Sequence, residues 1–206
     1  MLTAIGDVMR QLYSRGWITS RDGNVSVRFK DGDRLHITPS GWRKTIIHPE
    51  HLVEVPIVNG QMDLSGSLEP SGELHMHWLL QRNARDTRAV VHAHPTHIVA
   101  AMYRGFDLPT ICDHFPEIYR YTRVGDSVPT LPAVSDELGE ATAFAHRMEP
   151  DGSYYFDVVG QASHGVCAIG NSPWDAYEHI ERLNHICEIV LASGIRPDDA
   201  HEKAIG

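Results

Sequence analysis

The sequence has few cysteines, and their arrangement excludes two kinds of site. Its 206 residues include three cysteines, Cys112, Cys167 and Cys187, with no CxxC pair among them. A disulfide framework uses an even number of cysteines, and a cysteine-rich metal site uses closely spaced pairs. We therefore predict three reduced thiols in the core, as in proteins from a reducing compartment.

The chain also lacks long runs of basic or of apolar residues. Lys and Arg number 18 against 27 Asp and Glu, which gives a formal net charge of −9. Binding nucleic acid or anionic lipid by charge needs a basic cluster, and crossing a bilayer needs about 20 apolar residues in succession. The first residues also lack the basic and apolar regions of a signal peptide. We predict no nucleic-acid partner, no membrane partner and a cytoplasmic location.

The overall composition favours a single globular domain. The hydrophobic share of 42% and the charged share of 22% are ordinary values for a soluble protein. A chain of 206 residues can bury a core without disulfides, and no repeat or linker divides it, so we predict one domain over residues 1–206. Because the chain is acidic, any phosphate must be held locally, by backbone amides, hydroxyls or a few cations.

Periodicity and turn residues predict both helices and strands. Residues 2–15 have the apolar spacing of an amphipathic helix, and 24–29 and 33–39 alternate as two antiparallel strands joined by a turn at 30–33. The further predicted helices are 73–82, one that Thr96 caps and that continues through Met102, and 173–194. The further predicted strands are 52–58 (followed by an Asn59-Gly60 turn), 89–94, 154–160 and 163–170, with a break at Gly160. Residues 104–135 are predicted to be mostly irregular, with short strands, and could form a lid. The expected fold class is α/β with a mostly antiparallel sheet.

Two histidines, His92 and His94, flank Ala93 inside the apolar run 89–94. Because side chains alternate between the faces of a strand, both imidazoles lie on one face and can share an ion. Imidazole is a favoured ligand of zinc and its first-row neighbours, and a catalytic zinc usually has three protein ligands and one open position. The pattern therefore predicts a metal site that needs a third ligand.

His164 is the best candidate for the third ligand. It lies at the start of an apolar run, where an unpaired imidazole would be costly to bury. The alternative is that each histidine simply makes a hydrogen bond in the core, the usual fate of a buried polar side chain. His97 lies beyond Pro95 and need not face the same point, and His75 and His77, two residues apart on a helix, face different ways. We predict His97 outside the ligand set and structural or interfacial roles for the other two.

Glu73 follows Pro70-Ser71-Gly72 at the start of a predicted helix, and two interpretations of it remain open. It is either a helix-start carboxylate that binds backbone amides, or a base beside the metal. Small polar residues also occur in three loops, at 22–24, 38–41 and 70–72. If these loops converge, they supply amide and hydroxyl donors suited to a phosphate.

Five segments follow one another along the chain before the long last helix: SRDGNVSVR, ITPSG, EPSGE, AVVHAHP and SHGVCAIG. In this order they resemble the class II aldolase/adducin family, whose sugar-phosphate members include fuculose-phosphate aldolase and ribulose-phosphate 4-epimerase. The resemblance covers about residues 4–193 and implies a three-layer α/β/α fold of the class II aldolase type.

The resemblance also implies residue roles. It implies that His92, His94 and His164 bind Zn2+, or alternatively another divalent metal such as Mn2+, Co2+ or Fe2+. It implies that Glu73 is the acid/base and that a tyrosine acid comes from the middle region, where Tyr119 and Tyr121 are candidates. The residues implied to hold the substrate phosphate are Asn24, Ser40, Gly41, Ser71 and Gly72. A homotetramer with sites at subunit contacts is also expected.

The implied activity is that of a zinc-dependent, aldolase-type lyase of carbohydrate metabolism. Its substrate would be a small phosphorylated ketose or keto acid, cleaved through a metal-stabilised enediolate while a carboxylate moves the proton. A sugar-phosphate 4-epimerase, a dehydratase or a decarboxylase could use the same site, because a fold does not determine the reaction. A non-catalytic, adducin-like interaction domain would lose the ligands that this chain keeps.

Overall fold

The computed structural model describes residues 1–29, 32–66 and 68–197 of the chain. Residues 30 and 31 of the predicted hairpin turn lie outside this part. Within it, eight strands form one sheet: β1 (Asn24–Arg28), β2 (Arg34–Ile37), β3 (Val53–Val58), β4 (Gln61–Met62), β5 (Ala89–Ala93), β6 (Val124–Val128), β7 (Val158–Gln161) and β8 (Gly165–Gly170). Their order in the sheet is β4-β3-β2-β1-β5-β8-β7-β6.

The sheet is mixed, which refines the expectation of a mostly antiparallel one. At one end of the sheet, β6 and β7 pair in parallel. The other pairs of neighbouring strands in the described residues are antiparallel. A parallel neighbour requires a crossover connection, which the helix α5 (Asp136–Ala145) provides. This crossover was not predicted, because the sequence pattern indicated no helix or strand in residues 136–153.

Helices cover both faces of the sheet, as the three-layer prediction requires. The other helices of the described residues are α1 (Leu2–Ser14), α2 (Leu74–Gln81), α3 (Thr96–Tyr103), α4 (Leu108–Asp113) and α6 (Pro173–Ser193). Consecutive residues of β5 point to opposite faces: Val91 packs in the core under α1, α3, α4 and α6, whereas Val90 packs in the core under α2 and α5. This alternation places one apolar core on each side of the sheet.

The structure confirms the predictions for one turn, for both ends of the last helix and for the cysteines. Asn59 and Gly60 both have positive φ, 52° and 75°, as the tight turn between β3 and β4 requires. At the start of α6, Ser172 Oγ accepts a hydrogen bond from the Asp175 amide, and Gly194 ends that helix in the left-handed conformation. Cys112, Cys167 and Cys187 are free and buried, as expected.

Other predictions are corrected by the structure. Residues 104–135 are not mostly irregular, because they contain α4, a 3-10 turn at Pro116–Arg120 and β6. Gly160 does not break a strand but lies within β7, where a Cβ would approach Ser127 Oγ to 2.4 Å. Close packing, rather than a turn, therefore requires this glycine. Thr96 is the first residue of α3 rather than its cap, which is Pro95.

The strand register brings distant motifs together at one edge of the sheet. Asn24 of β1 pairs with His92 of β5, and Ala93 pairs with Val166 of β8. His164 lies in the short turn between β7 and β8, next to the end of β5. The helices that the structure describes include none long and apolar enough to cross a membrane.

Candidate active site

The three predicted histidines meet at the end of β5. The ring centroids of His92 and His94 are 4.8 Å apart, and the His164 ring lies 4.8 Å from the first and 5.1 Å from the second. Their nitrogens lie within 4.8 Å of one another and could hold a metal ion. The structure thus assembles the predicted cluster, while its role as the metal site stays a prediction.

A glycine lets His164 approach the other two rings. A Cβ on Gly165 would lie 2.4 Å from the Ala93 carbonyl oxygen and 2.7 Å from His94 Cδ2. Both distances are shorter than any real Cβ contact, so a larger residue would push β8 away from the end of β5. Gly165 therefore fixes the turn that carries His164 against the cluster.

The hydrogen bonding of His92 fits a metal ligand. Its Nδ1 lies 2.9 Å from the Val166 carbonyl oxygen, an acceptor, so Nδ1 carries the proton and donates it. In the neutral ring the lone pair is then on Nε2, which faces His94 Nε2 at 2.9 Å. Metal-bound histidines usually donate their second N–H to such a carbonyl. His164 Nδ1 is also buried, with no hydrogen-bond partner in the described part of the chain.

Burial keeps two of these rings in the neutral form that binds metals. It lowers the pKa of His92 well below its ordinary value, and the nearby His94 and His164 rings lower it further. Burial also lowers the pKa of His94, against an opposing effect from Asp22, whose carboxylate lies 3.6 Å from His94 Nδ1. Neutral imidazoles with an inward lone pair are the donors that zinc prefers.

Glu73 lies beside the cluster and does not act as a helix cap. It precedes α2 at the N-cap position, but its side chain makes no capping hydrogen bond. Its Oε2 lies 3.4 Å from His92 Nε2, and its Oε1 lies 3.9 Å from His164 Nε2. The carboxylate is 8% exposed, and Oε1 has no hydrogen-bond partner among the described residues. This geometry favours the interpretation of Glu73 as a base beside the metal site over that of a helix-start carboxylate.

The three polar loops converge on a cavity of about 230 Å³ above the histidines. Two hydrogen bonds tie the second and third loops together: the Ser40 amide donates to Glu69 O at 2.9 Å, and the Ser71 amide donates to Thr38 O at 3.1 Å. The cavity is lined by Arg21, Asp22, Gly23, Asn24, Ser40, Gly41, Lys44, Ser71, Gly72, Glu73, His94, Val134 and His164. All five predicted phosphate-binding residues are therefore present in its wall.

Lys44 also lies in this wall, although the sequence pattern did not predict it. Its side chain is 2% exposed, and its Nζ donates to the Pro39 carbonyl oxygen at 2.9 Å. Burial lowers the pKa of Lys44 to about 8, against opposing effects from Asp22 and Glu73. Lys44 follows the ITPSG segment by only three residues, and a charged residue just beyond a predicted anion loop was the signal available in the sequence.

A match to a family model identifies the family. Residues 3–191 match the class II aldolase and adducin N-terminal domain. The chain belongs to the class II aldolase/adducin family. Among its relatives in this family, the L-fuculose phosphate aldolase of Methanocaldococcus jannaschii is 28% identical over 189 residues, which cover 89% of this chain and 92% of that protein. The 3-oxo-tetronate 4-phosphate decarboxylase of Escherichia coli K12 is 29% identical over 198 residues, which cover 92% and 85%.

A solved structure supports the class II aldolase fold. The sugar-phosphate aldolase from Thermotoga maritima aligns with a TM-score of 0.78 at 24% identity, over 95% of this chain and 97% of that one. At 24% identity, this structural similarity supports a shared fold and nothing more specific. The expected fold family is confirmed, while the relatives named above differ in the bond that they break.

Within one chain, the two tyrosines expected from the class II aldolase resemblance do not line the cavity. The Tyr119 hydroxyl donates to Asp113 Oδ1 at 2.7 Å, and burial, followed by this hydrogen bond, raises the pKa of Tyr119. Tyr121 is 56% exposed, and the guanidinium groups of Arg120 and Arg182 lie over its ring, 5.7 and 5.4 Å from the centroid. Their role as a catalytic acid stays a prediction. It requires that a second copy of the chain place one of these tyrosines at the cavity.

The other three histidines considered from the sequence, His75, His77 and His97, are not part of the cluster. His97 Nδ1 lies 3.3 Å from Asn184 Nδ2, on the α6 side of the sheet. His75 lines a small recess beside α5. His77 is fully buried and contacts Asn24 and Ser26 through its two ring nitrogens.

Proposed function

We propose that this protein is a zinc-dependent, aldolase-type lyase acting on a small phosphorylated ketose or keto acid. The proposal depends on one observation: a buried carboxylate, Glu73, lies within 4 Å of two of three clustered imidazoles at the base of a polar cavity. A metal site, a base and an anion site in one cavity suit cleavage next to a carbonyl. The family match and the aldolase relative support this reading.

His92, His94 and His164 would hold the ion, because their ring nitrogens lie within 4.8 Å of one another. When bound, the ion supplies positive charge that stabilises the negative charge developing on a substrate carbonyl oxygen. The identity of the ion as zinc rests on the all-imidazole ligand set; Mn2+, Co2+ and Fe2+ are the alternatives.

Glu73 would move the proton. Its Oε2 is engaged by the Asn24 amide at 2.6 Å, whereas its Oε1 has no partner among the described residues and faces the cluster. An oxygen with a free lone pair can take a proton from a substrate hydroxyl or carbon and return it to the leaving fragment. Such positioned bases contribute about 10²- to 10⁴-fold to rate.

The substrate phosphate would lie against the converged loops. Ser40 and Ser71 offer hydroxyls and Gly41 and Gly72 offer backbone amides, while the Lys44 ammonium adds a cation to an otherwise acidic molecule. A phosphate role for Asn24 remains part of the prediction, although its amide already contacts Glu73 and His77.

Decarboxylation of a phosphorylated 3-keto acid is the second candidate. The observation that favours it is the Escherichia coli decarboxylase, which is as similar to this chain as the aldolase is. Loss of CO2 and aldol cleavage both leave negative charge next to a carbonyl, so one metal site can serve both. Epimerisation and dehydration are further outcomes on the same site.

The deciding experiment is a product screen with the zinc-loaded protein. The substrates are fuculose 1-phosphate, ribulose 5-phosphate and 3-oxo-tetronate 4-phosphate, each beside its unphosphorylated form. Release of dihydroxyacetone phosphate supports the aldolase, and release of CO2 supports the decarboxylase. A zinc-replete protein that turns over none of a broad panel of sugar and keto-acid phosphates would refute both.

Lys44 provides a test of the phosphate site. Changing Lys44→Met removes a charge-assisted hydrogen bond worth about 1.5–3 kcal/mol, so KM for the phosphorylated substrate should rise about 10- to 100-fold. In the wild type, kcat/KM should fall as pH rises through about 8, because Lys44 is charged below that pKa and neutral above it.

The matched control is Arg43→Met, which removes the adjacent, exposed cation. Its KM should stay within about twofold of the wild type, because an exposed charge contributes little. An equal rise in KM for phosphorylated and unphosphorylated substrates in Lys44→Met would show that Lys44 does not bind the phosphate.

We also propose that residues 1–206 act as one domain in a cytoplasmic homotetramer. Placing Tyr119 or Tyr121 at a neighbouring copy's cavity would complete the site with an acid, since both lie outside the cavity of their own chain. The three free thiols fit a reducing compartment.

A further inference from the structure

A buried chain of polar side chains leads away from Glu73 into the core. Asn24 Nδ2 donates to Glu73 Oε2 at 2.6 Å, and Asn24 Oδ1 accepts from His77 Nε2. On the far side of the ring, His77 Nδ1 lies 2.6 Å from Ser26 Oγ. None of Asn24, Ser26 and His77 is more than 4% exposed. The sequence predicted only a structural or interfacial role for His77.

The two ends of the Asn24 amide are chemically different, and His77 favours the same end toward Glu73 that the carboxylate, an acceptor, requires. Nε2–H of His77 can pair only with the amide oxygen, so the amide NH2 must face the carboxylate. With the amide reversed, the oxygen would face Glu73 Oε2 and the NH2 would face a ring N–H, and both contacts would be repulsive. The ring therefore acts on Glu73 through the orientation of Asn24.

The neutral state of His77 supports this direction of hydrogen bonding. Burial lowers the pKa of His77 to about 3, so the ring has one proton at neutral pH. The Ser26 hydroxyl has one proton, which it can give either to Nδ1, 2.6 Å away, or to Gln81 Oε1, to which it donates at 2.9 Å. The contact of Nε2 with the Asn24 amide oxygen, an acceptor, is therefore what places the ring proton on Nε2.

We propose that His77 is a positioning residue for Glu73. It acts through Asn24, which holds Oε2 and leaves Oε1 with no hydrogen-bond partner among the described residues. The inference rests on the proposed role of Glu73 as the base. Without the bond from Asn24, the carboxylate could tilt or turn away from the cavity. A misplacement of about 1 Å at a reacting group can cost about 100-fold in rate.

The test compares two changes at one position. His77→Leu removes the donor to Asn24, whereas His77→Gln can keep an N–H near the position of Nε2. The first readout needs no substrate: the side-chain amide resonances of Asn24 in 15N-labelled, zinc-loaded protein, assigned with an Asn24→Asp variant. We expect them to shift and exchange with solvent faster in His77→Leu, and to return toward wild-type behaviour in His77→Gln.

The second readout is kinetic and uses whichever substrate the product screen identifies. His77→Leu should lower kcat about 10- to 100-fold with KM and zinc content nearly unchanged, and His77→Gln should recover most of that loss. His146→Gln is the matched control, because His146 is an equally buried ring whose Nδ1 donates to the Phe156 backbone. It should leave the Asn24 resonances and kcat unchanged.

Two results would overturn the inference. One is an unchanged Asn24 amide signal in a folded His77→Leu protein, which shows that the ring does not orient the amide. The other is an equal loss of kcat in both His77 variants and in His146→Gln, which indicates a general loss of stability. If no substrate is found, the proposed reaction fails, yet the amide resonances still decide whether His77 positions Asn24.

Discussion

His164→Ala is expected to purify with little or no zinc and to lose more than about 100-fold of any metal-dependent turnover. Residues that only orient metal ligands already contribute about 10- to 100-fold to metal affinity, so removing a ligand should cost more. His164 is in a surface turn between β7 and β8, and its ring is only partly buried, so the fold should tolerate the change. The measurement is zinc per chain by elemental analysis, after gel filtration in metal-free buffer.

The control for this experiment is His97→Ala. His97 is near His94 in sequence, but its ring contacts Asn184 rather than the cluster. It should keep the zinc content of the wild type, whereas His164→Ala should lose zinc while keeping a normal circular dichroism spectrum. Full zinc occupancy in His164→Ala would refute the three-histidine site, whatever the activity.

The sequence predicted that the three histidines come together, because the patterns around them carry that information. A period of two on β5 was enough to place His92 and His94 on one face, and the apolar run that His164 begins made it the candidate for the third position. The helices and strands with strong caps or turns, such as α6 with Ser172 and the Asn59-Gly60 turn, were also predicted correctly.

The features that the sequence did not predict depend on contacts between distant segments. The parallel pairing of β6 and β7 follows from the position of α5, which lies in residues 136–153, where the sequence pattern predicted no element. Gly160 resembled a strand break, yet it is required by side chains from β6 and α3 that pack against β7. The contacts of His77 and Lys44 likewise form only when β1, α2 and the 38–41 loop are assembled.

Glu73→Gln is expected to keep its zinc and lose about 10²- to 10⁴-fold of kcat, the contribution of a positioned acid or base. The change is nearly isosteric, and the glutamine oxygen can still accept from Asn24 Nδ2, so the cavity should keep its shape. Because the amide cannot take a proton near neutral pH, the loss should fall on kcat rather than on KM.

The control for Glu73→Gln is Glu69→Gln. Glu69 is the other glutamate of the same EPSGE segment, but it is exposed and absent from the cavity wall. Its substitution should leave kcat, KM and zinc content within about twofold of the wild type, because exposed charges contribute little. A large loss of kcat in Glu73→Gln with full zinc, beside an unchanged Glu69→Gln, assigns the proton transfer to Glu73. Near-normal turnover in zinc-loaded Glu73→Gln would instead mean that another group moves the proton, and Tyr119 or Tyr121 of a second copy would be the next residues to substitute.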